Sequence, residues 1–142
     1  MTLPLIHFFA AAFMTGLIWF VQVVHYPLMG SVGEGHFVAY TRRHQALTTL
    51  VVAPMMLIEA LTASLLLWQS WQHRPGLGLE LTGMILLIAI WLSTFLVQVP
   101  LHARLAKGLS PRTHSLLVGS NWVRTALWSA RVVVAAGIVT AR

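Results

Sequence analysis

The sequence predicts an all-α integral membrane protein: a four-helix bundle with both termini on one side and its helices extended on the cytoplasmic side. Three observations predict it. Of the 142 residues, 58% are hydrophobic and only 8% charged, with a mean hydropathy of +0.80; soluble domains carry about a quarter charged residues. Nine basic and three acidic side chains cannot supply the polar surface that such an apolar chain would need in water. Four apolar stretches, at about 3–24, 46–68, 79–99 and 116–141, each reach the roughly 20 residues that cross a bilayer. Disorder, a nucleic-acid module and a compact cytosolic enzyme are excluded on these grounds. What lies outside the four stretches is too short for a separate soluble domain, so residues 1–142 are expected to form one.

The first stretch holds no charge and runs to Pro27 and Gly30, which stop a helix. It is read as a helix and not as a secretory leader. It has no basic start, its apolar run exceeds the ~7–15 residues of a signal core, and His25-Tyr26-Pro27 is no small-residue cleavage site. Residues 33–44 read as a short helix entering the second span, since His36, Tyr40 and His44 fall four apart on one face. The second span carries Glu59 and also Pro54, which is predicted to kink it. Trp68 and Trp71 suit the headgroup layer, and His73-Arg74-Pro75-Gly76 reads as a turn. The third helix is predicted to continue to Lys107, with Gly108 as a left-handed cap. Ser110-Pro111 reads as N-cap and first residue of the fourth helix, which would be about 30 residues and ~45 Å long.

The formal charge of +6 matters less than its distribution. The side carrying the 25–45 and 100–115 connections, side B, holds Arg42, Arg43, Arg104, Lys107 and Arg112. Side A, with both termini, holds Arg74 and Arg142. The positive-inside rule puts side B in the cytoplasm and both termini outside an inner (plasma) membrane. The bilayer is then the first partner, and nucleic acid is not one. With no cysteine, disulfides and thiolate chemistry are excluded.

In lipid a polar side chain must face the bundle interior or water. At 100° per residue the polar residues do share faces. The first helix carries His7, Gln22 and His25; the second His44, Thr48, Met55, Glu59 and Thr62; the third Thr94, Gln98 and His102; the fourth His114, Asn121, Arg124, Trp128 and Arg131. Counted from side B, Glu59 and Arg131 lie at one depth, which predicts a buried ion pair. Arg124 has no acid at its depth, so it snorkels, binds backbone carbonyls, or meets an anionic or carbonyl-bearing ligand. His25, His44 and His102 come from three different helices near side B. Three imidazoles suit zinc, copper or iron, although interfacial histidines also satisfy helix ends and lipid phosphates. With Gln22, Gln98, Tyr40, Asn121 and Arg124 nearby, they read as a polar pocket open to side B. His7, close to side A, is the alternative haem ligand.

The run Gln22…His25-Tyr26-Pro27, Phe37-x-x-Tyr40…His44, Pro54…Glu59, Gln98-x-Pro100-x-His102 and Asn121-Trp122-x-Arg124-Thr125…Trp128…Arg131 resembles uncharacterised small four-helix bacterial membrane proteins. The layout is also similar to anthrone-oxygenase-like membrane proteins. That resemblance implies oxidation of a lipophilic aromatic substrate. His7, Thr15-Gly16-Leu17, His25, Arg42-Arg43 and Pro54-Met55 distantly resemble the first half of the haem-containing four-helix protoporphyrinogen oxidase, which implies haem. Where that family has a lysine in its third helix, this chain has Trp91, Thr94 and Gln98.

Three function classes stay open. The first is a metal-dependent membrane oxidoreductase: His25, His44 and His102 hold a metal, Asn121 and Arg124 act on a lipophilic substrate beside Gln22, Gln98, Tyr40 and Trp128, and Glu59–Arg131 stiffens the floor. The second is a haem- or quinone-binding subunit. The third is a structural or assembly subunit of a larger complex, or a homodimer, whose polar stripes are packing contacts.

Overall fold

The computed structural model describes residues 2–73 and 78–141, apart from the side chain of His73. Four helices account for nearly all of them: α1 (Thr2–Met29), α2 (Glu34–His73), α3 (Gly78–Leu105) and α4 (Pro111–Thr140). Each is long and apolar enough to cross a membrane. The short helix expected to run into the second span is continuous with it, giving one helix of 40 residues with Pro54 inside it. Ser110 caps α4 as expected, its Oγ accepting from the Thr113 amide at 3.3 Å, and Pro111 opens the helix. The turn at 74–76, with Arg74 and Arg142, falls outside the described residues.

The end of α3 differs from expectation. The helix stops at Leu105, and Ala106 and Lys107 close it with tight turns to His102 and Arg104. Gly108 adopts no left-handed conformation. Its amide reaches back to Leu105 instead, which satisfies a terminal carbonyl without the usual glycine cap.

Two helices are not wound regularly. In α1 residues Val21–His25 form a single π-turn, and in α3 residues Thr94–Gln98 form another. Each ends two residues before a proline, Pro27 and Pro100. A proline within a helix removes one amide donor, and its ring presses on the carbonyl four residues back. A wider turn just upstream relieves that clash, and such turns recur at functional sites.

Around the bundle the order is α1, α4, α3, α2. The last helix packs closely on α1 and α3, and α1 packs on α2, while the α2–α3 seam is the loosest of the four. The outside is apolar: Leu50, Leu96, Trp71 and Val133 are each about 70% exposed or more, a costly surface in water and a natural one in hydrocarbon. The interior is mixed. One apolar cluster joins Tyr26, Met29, Phe37, Leu101, Leu105 and Leu117 near the 106–110 connection, and a second joins Met14, Ile18, Met56, Ile90 and Trp128 at mid-length. Between and beyond them lie the buried polar residues His7, Gln22, Glu59, Gln98, Asn121, Arg124 and Arg131.

Gly30, just past the end of α1, lies against His114 of α4. A Cβ there would come 2.9 Å from Cε1 of His114, whose Nε2 donates to the Tyr26 carbonyl at 2.9 Å. Gly30→Ala must displace that ring, so it is expected to cost about 1 kcal/mol, the worth of one hydrogen bond. Thermal unfolding in detergent checks it. A matching loss in His114→Ala, with no further loss in the double variant, would assign the cost to this contact.

Candidate functional site

A cavity of about 580 Å³ lies between α1, α2 and α3, with Arg124 of α4 at its inner end. That is the size of a small-molecule site. Its walls are mainly apolar: Met14 and Ile18 from α1, Val52 and Met56 from α2, Trp91 and Phe95 from α3. The exposed members of the lining, Thr49 and Leu57 on α2 and Phe95, Val99 and Ala103 on α3, all come from the two helices of the loose seam. The cavity therefore opens on the flank of the bundle, between α2 and α3. The sequence suggested a pocket facing side B. Its polar groups do gather toward that end, where Tyr26, His44, Gln98, His102 and Arg124 line it.

Each polar group is held from behind. Arg124, on the inner face of α4, donates through Nη1 to Asn121 Oδ1 at 3.1 Å. Asn121 in turn donates to Gln22 Oε1 at 2.8 Å, and Gln22 donates to the Val118 carbonyl at 3.2 Å. The Trp128 ring lies 5.1 Å from the guanidinium carbon, within cation–π range. Gln98 sits at the last position of the α3 π-turn and donates to Ser120 Oγ at 2.9 Å. His102 Nε2 meets the Tyr26 hydroxyl at 3.1 Å, and Gln45 donates to the His102 carbonyl at 2.8 Å. His44 Nδ1 meets Thr48 Oγ1 at 3.0 Å.

What remains unmade is more telling. Among the described residues, seven buried side-chain nitrogen or oxygen atoms have no hydrogen-bond partner. Four of them belong to residues that line this one cavity: Trp91 Nε1, Gln98 Oε1, His102 Nδ1 and Arg124 Nε. Buried polar groups without partners each cost about 1–3 kcal/mol, so their concentration in one place asks for a ligand with polar atoms.

The three histidines offered as metal ligands do come together, but face to face. His25 and His44 stack with ring centroids 4.1 Å apart and planes 24° from parallel, and Tyr40 stacks on both. His102 is tilted, 6.0 Å from His44. Stacked imidazoles hold their nitrogens in separate planes. Among the described residues no group of three or more His, Cys, Asp or Glu side chains is placed to hold a metal ion.

The remaining candidates divide. Glu59 and Arg131 form the expected buried ion pair, with Arg131 Nε on Glu59 Oε1, Trp128 Nε1 donating to Glu59 Oε2 at 3.3 Å, and Arg131 Nη1 on the Gly83 carbonyl. This network lies behind the cavity and does not line it. Gln22, Asn121 and Trp128 likewise stand behind Arg124. His7 donates through Nδ1 to Thr62 Oγ1 at 2.9 Å, and the Thr62 hydroxyl in turn donates to the Ile58 carbonyl. The chamber that His7 lines with Arg131 has a volume of about 10 Å³, about that of one water. Tyr26, Gln45 and Trp91 are among the lining residues that sequence reasoning missed. No protein-family model, curated protein or solved structure matches the chain.

Proposed function

We propose that the chain is a membrane protein that takes a lipophilic molecule from the bilayer through the α2–α3 seam. The molecule's oxygen-bearing head is held among Gln98, His102 and Arg124. The observation that carries this reading is one laterally open, otherwise apolar cavity, four of whose lining residues each keep a buried polar atom without a partner. The seam supplies entry from hydrocarbon, the apolar walls favour a hydrophobic body, and the free donors and acceptors fix its head.

This reading keeps the oxidoreductase expected from the sequence as the enzyme class it serves. His102, backed by the Tyr26 hydroxyl, would accept one proton from the substrate, and the second hydrogen would pass with both electrons, as hydride, to molecular oxygen or a membrane quinone. His44, stacked on His25, enters the proposal as the wall beside that pair.

Organic extraction of the protein purified in nanodiscs, followed by mass spectrometry, tests the proposal. A lipophile enriched with the native chain and depleted about tenfold or more in His102→Phe, roughly 1.4 kcal/mol, is expected. Identical extracts from the native chain and from the variant would overturn it.

A further inference from the structure

Two arginines lie inside the bundle, and they are not in the same state. Arg131 has Glu59 against it. Arg124 is only 7% exposed and makes no ion pair among the described residues. Its neighbours are an amide, an indole ring and the phenol of Tyr26, which offer dipoles but no counter-charge. A guanidinium stays protonated in proteins, and a lone charge near the middle of a bilayer costs several kcal/mol. Its Nε is bare and the residue lines the cavity.

The acceptors nearby do not answer this charge. Ser120 has given its hydroxyl hydrogen to the Leu116 carbonyl at 2.6 Å, so Gln98 must turn its amide nitrogen to Ser120 and leave Oε1 unused. That oxygen is neutral. His44 and His102 carry no negative charge in any protonation state.

We infer that the missing counter-charge arrives with the ligand: the cavity selects a single-chain lipophile whose head is an anionic oxygen group, and Arg124 is the residue that recognises it. This rests on the reading of the cavity as a lipophile site and adds the sign of the head. A charged hydrogen bond is about twice as strong as a neutral one, and in a dry site a guanidinium–anion pair discriminates sharply against a neutral isostere. The apolar end, between Met14, Met56 and Trp91, takes the chain. A carboxylate from a free fatty acid and the phosphate of a one-chain lipid share this chemistry.

The test is a binding series at pH 8 on the full chain in zwitterionic nanodiscs, read by tryptophan fluorescence, since Trp91 lines the cavity and Trp128 lies against Arg124. The probes are dodecanoate, dodecyl phosphate, dodecanol and methyl dodecanoate. One or both anions should bind at least about tenfold more tightly than the alcohol and ester, a difference of roughly 1.4 kcal/mol. Whichever anion binds better names the source. Arg124→Gln should remove that preference, bringing the anions down to the level of the alcohol and ester, while Arg124→Lys should keep most of it. If native protein binds the alcohol and ester as tightly as the anions, or Arg124→Gln keeps the preference, the inference about the head is overturned and the cavity reading stands. If none of the four probes binds, both fall.

Discussion

Glu59→Ala is expected to destabilise the protein by about 3–5 kcal/mol, the cost of breaking a buried ion pair from one side. Both partners are fully buried, so the substitution strands the Arg131 charge with only the Gly83 carbonyl as a near partner. It also takes the acceptor from Trp128 Nε1. Glu59→Gln should cost less, because the amide still accepts from Trp128. The double variant Glu59→Leu, Arg131→Met should recover to within about 2 kcal/mol of the native chain, since it removes both charges together. Unfolding in mixed detergent, followed by tryptophan emission, measures all four proteins. A single-variant cost below about 1 kcal/mol would mean that water reaches the pair.

The second large effect is on binding. Thr94 lines the cavity from the first position of the α3 π-turn, and its hydroxyl is engaged with the Ile90 carbonyl of its own helix at 2.8 Å. It makes no side-chain bond to another helix among the described residues, so it can be enlarged without breaking one. Thr94→Trp should fill the space between Met56 and Gln98 and lower lipophile binding by about 100-fold or more, roughly 2.7 kcal/mol. Stability should hold, because the added ring replaces space and not packed atoms. Tryptophan-free probes of binding, such as retention of radiolabelled dodecanoate or dodecanol, avoid interference from the new indole. Undiminished retention would place the bound lipophile outside this cavity.

Much of the architecture was legible because it rests on length and charge scarcity, and both are read without knowing any contact. The Glu59–Arg131 pair was legible for a similar reason: two opposite charges at one depth in an apolar bundle have few other partners. Gln98, His44, His102 and Arg124 were found because polar side chains in such a chain point inward. Tyr26 was not, since it follows the α1 π-turn, and a wide turn shifts the face of every later residue relative to regular 3.6-residue winding. The proline following each wide turn was the available signal. Trp91 hides among apolar neighbours, and its role shows only through an indole nitrogen left without a partner. Gln22 and Asn121 were correctly read as interior, yet they brace Arg124 from behind, a distinction that depends on side-chain geometry. The choice of the α2–α3 seam as the opening depends on packing among four helices, which no single stretch of sequence records.

A ring of four helices with one weak seam also has a mechanical consequence. Separating α2 from α3 leaves the other three seams intact, so the wall can part by a small swing of two rods without melting any helix. Exchange of a guest is then governed by that local breathing, on the microsecond-to-millisecond scale of packed-helix motions, and is decoupled from global unfolding. A disulfide engineered across the seam, in a chain that has no cysteine of its own, would slow arrival and departure together. The equilibrium affinity would stay nearly as it was.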